Sequence, residues 1–324
     1  MALSERKLTI YLMPLLLGVA LVLLGCGADQ PDQPRGMADS GSGGSDQQSD
    51  QSQLSRPIVT AWMYLADDQD YAQIPKSWSS INFRTADVLN VGPAGVQRDG
   101  TFGFYESRKT GDLANRFEWV LRNARAQNPD IKIIVSQWWG YGDDIWGQPL
   151  SALRSDKHVK KYTKSVGGFL AEYLDKSGGV DGYDIDYEDN NISARTEDIT
   201  SQIRTEFDAL SQDQQGRRFY QTVSPSTTGY LGDAVDHVDY VNMQTYDGGM
   251  GLIPRFFLSL GFTSDQLLYG ICPETDCPTP SIEEAEAAYK ENDLAGIHVY
   301  RLNSGNQQEE GEVQNRVYEL LHGS

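Results

Sequence analysis

Eight short runs rich in β-branched and aromatic residues recur from residue 58 onward, and they restrict the possible folds more than any other feature of this sequence. Their lengths are typical of strands rather than helices. The runs predict strands at residues 58–64, 86–91, 131–137, 182–187, 220–224, 240–245, 267–271 and 296–300. We therefore expect an α/β fold.

Helical patterns separate most of these strands, at residues 114–126, 158–174, 199–210, 282–289 and 313–321. The connections at 74–81 and 228–238 are expected to be short and irregular. Eight strands with crossovers in about 265 residues predict a single-domain (β/α)8 TIM barrel, with a doubly wound open sheet as the alternative. In such a barrel, reactive groups lie at the C-terminal ends of the strands.

The predicted fourth strand carries three carboxylates at alternate positions, on Asp184, Asp186 and Glu188. Alternation along a strand turns all three to one face. Because carboxylates at this spacing resist full ionisation, the row indicates a site that holds a proton at neutral pH and transfers it to a substrate. Glycoside hydrolysis is the first chemistry to consider.

Calcium binding is the alternative interpretation of this acidic row. Calcium loops require a glycine in a sharp turn and tolerate few large apolar residues. Here Ile185 and Tyr187 stand between the carboxylates and fit a buried strand. We therefore predict no metal at this site, and no cofactor.

The N-terminus reads as an export signal. A short positive region ends at Lys7, an apolar run follows at residues 8–24, and Leu23-Leu24-Gly25-Cys26 closes it. This ending resembles a bacterial lipobox, in which Cys26 carries the lipid, so residues 1–25 are the predicted signal peptide. A transmembrane anchor is the alternative, since about 17 apolar residues approach the length that spans a bilayer. Either places the rest of the chain in the cell envelope, outside the cytoplasm.

Residues 26–57 are rich in Gln, Asp, Ser and Gly, and are predicted to form a disordered tether to a domain at 58–324.

The net charge of -19 excludes nucleic acid and an anionic membrane surface as expected partners, whereas a neutral glycan is compatible. With Cys26 lipid-modified, Cys272 and Cys277 predict a disulfide, with metal binding as the weaker alternative.

The run Asp181-Gly182-Tyr183-Asp184-Ile185-Asp186-Tyr187-Glu188 fills every fixed position of the DGxDxDxE signature, and so resembles glycoside hydrolase family 18. That family contains chitinases and endo-β-N-acetylglucosaminidases, and the resemblance implies the signature on the fourth barrel strand. Gln244-Thr245-Tyr246-Asp247 is similar to the family's [MQ]xYD/N motif on the sixth strand.

The resemblance implies substrate-assisted catalysis, in which the substrate's own N-acetyl oxygen attacks the anomeric carbon. Glu188 is then the proton donor. Asp186 holds the acetamido N–H and shares a proton with Asp184. Tyr246 donates its hydroxyl to the attacking carbonyl oxygen. Asp181, which opens the strand, is expected to be structural.

Two positions depart from the family pattern. Where members usually carry SxGG on the third strand, this chain has Ser136-Gln137-Trp138-Trp139-Gly140, so we expect Trp138 to line the cleft. On the eighth strand Tyr300 replaces the usual Trp, and this resembles the endo-β-N-acetylglucosaminidase branch. We also expect sugar contacts from Gln244 and Asp247 of the sixth-strand motif and from Tyr64 at the end of the first strand. For Asp247, the alternative is that it fixes the conformation of a loop.

Together these features predict a monomeric, retaining hydrolase of the β-1,4 bond that follows an N-acetylglucosamine, with chitin or chitooligosaccharide as substrate. The chitobiose core of N-glycans and peptidoglycan remain alternative substrates. A non-catalytic glycan-binding lipoprotein on the same fold is the alternative of a different class.

Overall fold

The computed structural model describes residues 54–66, 71–104, 113–138, 148–174, 176–188, 195–226, 231–246, 253–274, 277 and 280–323. Cys26, residues 26–53 of the predicted tether and Asp247 lie outside these ranges, so the predictions made for them stay predictions. No helix in the described ranges has the length and hydropathy needed to cross a membrane.

Eight parallel strands close into a barrel. The strands are β1 (Ile58–Tyr64), β2 (Val88–Val96), β3 (Phe102–Gly103), β4 (Lys132–Gln137), β5 (Gly182–Tyr187), β6 (Tyr220–Pro225), β7 (Tyr240–Met243), β8 (Leu267–Ile271) and β9 (Gly296–Val299). All but the two-residue β3, which is antiparallel to β2, belong to the barrel. Pairing of β1 with both β2 and β9 closes it. The predicted barrel is confirmed, and the open sheet is wrong.

Helices cover the outside of the barrel. They are α1 (Leu113–Gln127), α2 (Asp156–Tyr173), α3 (Thr196–Asp213), α4 (Pro254–Ser259), α5 (Ile282–Asn292) and α6 (Gln307–His322). The two irregular connections contain 3-10 helices, at Lys76–Ser80, Phe83–Thr85 and Leu231–His237. The sequence did not predict α4, because six residues are too few for a periodic pattern.

Local sequence explains where these elements begin. A capping box starts α5: Ser281 N–H donates to Glu284 Oε2 at 2.7 Å, and Glu284 N–H donates to Ser281 Oγ at 3.1 Å. In β5, Gly182 allows close contact with β6, since a Cβ there would lie 2.2 Å from the Tyr220 carbonyl oxygen. These local features fix how neighbouring elements meet.

The two faces of β5 are as the alternation predicts. Tyr183 is buried against α2, where its hydroxyl lies 2.8 Å from that of Tyr162. Asp184 and Asp186 face the barrel interior. Below them, an apolar cluster fills the N-terminal end of the barrel, formed by Ile58, Val88, Ile134, Tyr220, Tyr240, Leu268 and Ala295. The polar chemistry is therefore confined to the C-terminal half of the interior.

Asp181 connects several segments at the N-terminal face of the barrel through hydrogen bonds and ion pairs. Its Oδ2 accepts from Arg125 at 2.6 Å and from Ile133 N–H at 2.8 Å, while Oδ1 accepts from Arg217 at 2.8 Å. A cavity of about 960 Å³ opens beside it and is also lined by both arginines. This cavity lies at the end opposite Glu188, so we assign Asp181 a structural role.

We predict that Asp181→Asn lowers the free energy of unfolding by about 3 kcal/mol, because two arginines lose their shared, largely buried carboxylate. Urea denaturation would measure the loss. Asp130→Asn, on an exposed turn, is the matched control and should stay within about 0.5 kcal/mol of wild type. Equal stability of the two variants would contradict the structural role.

Candidate active site

Asp184 is fully buried at the centre of the barrel and is held by hydroxyl groups from two other strands. Ser136 Oγ donates to its Oδ2 at 2.7 Å, and Thr222 Oγ1 donates to its Oδ1 at 2.6 Å. Ser224 Oγ lies 3.0 and 3.1 Å from the two oxygens. Burial raises the pKa of Asp184, and these hydrogen bonds partly offset the rise.

Asp186 and Glu188 form a coupled pair above Asp184. Burial raises the pKa of Asp186 well above its usual range, and the negative charges of Glu188 and Asp184 raise it further, as does a hydrogen bond with Glu188. A hydrogen bond from Gln244 lowers the pKa of Asp186. Its Nε2 donates to Asp186 Oδ1 and to Glu188 Oε1, both at 3.0 Å, and to the Ser224 carbonyl oxygen at 2.9 Å.

The raised pKa of Asp186, together with its hydrogen bond to Glu188, favours the protonated form of this carboxyl at the mouth of the barrel. The sequence predicted a proton shared between Asp186 and Asp184, whereas here Asp186 bonds to Glu188. Sharing of a proton between Asp186 and Asp184 stays a prediction. The pair can supply a proton to a group that enters the barrel mouth.

Aromatic rings line the same end of the barrel. The ring of Tyr300 stacks on Tyr246, with centroids 5.6 Å apart and planes inclined by 18°. Trp62 lies 5.9 Å from Tyr300. On the neighbouring wall, Tyr64 and Trp138 have ring centroids 5.3 Å apart. Such faces suit the apolar faces of sugar rings.

Tyr300 is itself largely buried. Burial raises the pKa of its hydroxyl, and the charges of Asp186 and Glu188 add to the rise, whereas Arg301 lowers it. The hydroxyl therefore stays protonated at neutral pH, and the ring presents a neutral surface. The Tyr300–Arg301 peptide bond is cis.

The structure brings most of the predicted site residues together at the C-terminal end of the barrel: Tyr64, Trp138, Asp184, Asp186, Glu188, Gln244, Tyr246 and Tyr300. Asp247 lies outside the described residues. Sequence reasoning missed Thr222 and Ser224, the hydroxyl donors on β6. Their alternation in Tyr220–Pro225 was the available signal, because every second residue of a barrel strand faces inward.

Cys272 and Cys277 form a disulfide in this structure, with an S–S distance of 1.88 Å. Glu274 lies near both sulfur atoms. Because the two sulfurs are bonded to each other, this group does not offer the pair of thiolates that the metal alternative requires.

Comparison with known proteins gives one family match. The model of "Glycosyl hydrolases family 18" matches residues 60–256. No curated protein sequence matches the chain.

Several solved structures share the fold. A chitinase from Bacteroides thetaiotaomicron has 16% identity and a TM-score of 0.58, over 83% of this chain and 98% of its own. A mutant class V chitinase from Nicotiana tobaccum, in complex with NAG4, has 10% identity and a TM-score of 0.62, over 81% of this chain and 99% of its own. Human YKL-39 is described as a pseudo-chitinase with retained chitooligosaccharide binding. It has 10% identity and a TM-score of 0.60, over 81% of this chain and 99% of its own.

We predict that Asp184→Asn stabilises the protein increasingly as the pH rises. A carboxyl whose pKa is raised on folding favours the folded state below its unfolded pKa of about 3.9, and this contribution is lost as the pH rises through the folded value. Asparagine does not ionise and makes no pH-dependent contribution to stability. The free energy of unfolding of the variant minus that of wild type should therefore increase from pH 4 to pH 7. Urea titrations would measure it, with Asp208→Asn on the exposed face of α3 as control. A difference that does not change with pH would contradict burial of an ionisable Asp184.

We predict that Gln244→Met moves the alkaline limb of activity to higher pH and lowers the rate by about tenfold. The Gln244 amide stabilises the ionised carboxylates, so its loss raises the pKa of Asp186 further, and the shared proton is lost only at higher pH. The pH profile of kcat/KM would measure the shift. Gln212→Met, on the surface of α3, should leave the profile unchanged. A shift to lower pH would contradict the role of Gln244.

Proposed function

The chain belongs to the glycosyl hydrolases of family 18, and we propose that it is a retaining glycosidase that cleaves the β-1,4 bond following an N-acetylglucosamine. The observation that carries the proposal is the coupled pair of Asp186 and Glu188, held by Gln244 at the mouth of the barrel. A glycosidic oxygen is a poor leaving group, and a carboxyl that retains its proton can protonate it as the bond breaks.

Glu188 is the proton donor in this proposal. It follows the last residue of β5 and therefore stands nearest to the open end of the barrel. Asp186 lies deeper, at 5% exposure. As the C–O bond breaks, the proton moves from Glu188 to the leaving oxygen, and Glu188 becomes the base that later deprotonates an attacking water.

The nucleophile in the first step is the carbonyl oxygen of the substrate's own N-acetyl group. It bonds to the anomeric carbon while the leaving group departs, which gives a cyclic cationic intermediate. Asp186 would accept a hydrogen bond from the acetamido N–H and balance that charge. Tyr246, stacked on Tyr300, would donate its hydroxyl to the carbonyl oxygen. Alignment of an internal nucleophile in this way supplies a large part of the rate.

Aromatic rings would hold the sugars on either side of the cleaved bond. Tyr300 and Trp138 occupy the positions where this chain departs from its family, and Tyr64 contacts the Trp138 ring. Chitin or chitooligosaccharide is the substrate that we propose. Solved relatives at low identity include a chitinase and a structure in complex with NAG4.

We predict that Glu188→Gln lowers kcat on chitooligosaccharides by at least about a thousandfold, because the amide cannot donate the proton. Binding should persist, since glutamine keeps the shape of the side chain. Release of reducing sugar and calorimetric titration with chitotetraose would measure the two effects. Glu197→Gln, exposed in the first turn of α3, is the control. Unchanged turnover in Glu188→Gln would contradict the assignment of the acid.

Three substrates separate the possible activities. Wild-type protein would be compared on chitooligosaccharides, on a high-mannose glycopeptide and on purified sacculi. Chitooligosaccharide hydrolysis supports the proposal, whereas preference for either other substrate would replace it with the chitobiose-core or peptidoglycan version. Activity on none of the three would contradict all of them.

A non-catalytic glycan-binding protein is the second candidate function. Human YKL-39, which shares the fold, is described as a pseudo-chitinase with retained chitooligosaccharide binding. Here the complete acidic row, with Glu188 in contact with Gln244, favours an enzyme. Tight chitotetraose binding by wild-type protein without any hydrolysis would instead favour the binding protein.

A further inference from the structure

The guanidinium of Arg301 lies over two rings of the proposed sugar site. Its Cζ is 5.1 Å from the ring centroid of Tyr64 and 5.7 Å from that of Tyr300. These rings belong to the ends of different strands, β1 and β9. A cation at such distances from two faces attracts both, so Arg301 fixes one ring relative to the other.

Glu274 fixes Arg301 in turn. Its Oε1 accepts from Arg301 Nε at 2.6 Å, and the side chains are only 25% and 16% exposed. A hydrogen-bonded ion pair with this degree of burial is stronger than an exposed one. Glu274 belongs to the loop that follows β8, so this contact joins the ends of β8 and β9.

The disulfide closes the loop that presents Glu274. Cys272 and Cys277 are five residues apart and bracket Glu274. A bridge over so short a loop restricts the positions that Glu274 can adopt. The contacts therefore run from the disulfide to Glu274, then to Arg301, and then to the rings of Tyr64 and Tyr300.

The segment after Arg301 holds the backbone of the same wall. The Asn303 amide accepts from Tyr64 N–H at 3.0 Å and donates to the Tyr64 carbonyl oxygen at 2.7 Å. Leu302 N–H donates to the Trp62 carbonyl oxygen at 2.9 Å. Tyr64 is thus fixed at its backbone independently of Arg301, and its ring lies between the guanidinium of Arg301 and the ring of Trp138, so that Arg301 contributes to the orientation of the ring.

We propose that Arg301 is a positioning residue for the sugar site, and that Glu274 and the Cys272–Cys277 disulfide hold it there. The unit formed by the disulfide, Glu274 and Arg301 orients Tyr64 and Tyr300 against the bound sugar. It sets affinity for the glycan and makes that affinity depend on the oxidised disulfide. The inference rests on the proposed function, because it assumes that these rings contact a sugar.

Removal of the ion pair tests the proposal. Glu274→Gln keeps the size of the side chain and should raise KM for chitotetraose by about tenfold while kcat stays within about twofold, since proton transfer is not involved. Arg301→Met should do the same, and the double variant should be no worse than Arg301→Met alone. Arg301→Lys should restore affinity only in part, because a lysine ammonium lacks the planar face.

The disulfide is tested in the same assay. The Cys272→Ser, Cys277→Ser double variant, and wild-type protein treated with a reductant, should each show the same rise in KM. Glu283→Gln, which breaks the exposed ion pair with Arg316, is the matched control and should change nothing. Urea unfolding would exclude general loss of structure, and Glu274→Gln keeps the test valid if the cysteine variant does not fold.

Two results would overturn the inference. If the KM of Glu274→Gln equals that of wild type, the ion pair does not contribute to glycan affinity. A fall in kcat alone would indicate that Glu274 affects the acid–base chemistry instead. Calorimetric titration of the Glu188→Gln protein with chitotetraose separates the two proposals. If that protein does not bind chitotetraose, the proposed function and the inference both fail; if it binds and Glu274→Gln binds equally well, the inference alone fails.

Discussion

Burial of Asp184 and Asp186 inside a barrel is the constraint on which the rest of the structure depends. An ionised carboxylate away from water is strongly unfavourable unless hydrogen bonds or a retained proton offset the loss of hydration. Here three hydroxyls from β4 and β6 donate to Asp184, and the pKa of Asp186, which is hydrogen-bonded to Glu188, is raised. The upper interior is therefore polar, and the apolar packing is supplied by the cluster at the N-terminal end and by the larger apolar layer between the strands and the helices.

The carboxylates in and directly before β5 lie in two different surroundings. Asp181, before β5, is neutralised by Arg125 and Arg217 and anchors the base of the barrel. Among the residues that the structure describes, no cation pairs with Asp184 or Asp186, and their pKa values rise. Similar side chains in and directly before β5 thus lie in opposite electrostatic environments, because different residues surround each one. The carboxylate paired with arginines stabilises the fold, whereas burial without such a cation raises the pKa of Asp184 and Asp186.

Much of this could be predicted from the sequence, because strand periodicity and the acidic row are local patterns. All eight barrel strands were found, although those predicted at 240–245 and 296–300 end earlier, at Met243 and Val299. At the first of these, Thr245 N–H turns back to the Met243 carbonyl oxygen. The contacts of the acidic row could not be predicted. The alternation in β6 indicates that Thr222 and Ser224 face inward, but their contact with Asp184 depends on the register of β5 with β6. The contact of Gln244 with the row depends in addition on the register of β6 with β7, which no local pattern specifies.

The sequence analysis expected departures from the family pattern at Trp138 and Tyr300. In the structure, Tyr64 and Arg301 connect the rings at these two positions. Trp138 adds volume to the wall formed by the third barrel strand, and its ring packs 5.3 Å from Tyr64. Tyr300 stacks on Tyr246, with the two ring planes inclined by 18°. Because Arg301 contacts both Tyr64 and Tyr300, it lies where these two changes meet. Under the proposed function, specificity for the glycan would depend on this wall, whereas the acidic row would carry out the reaction.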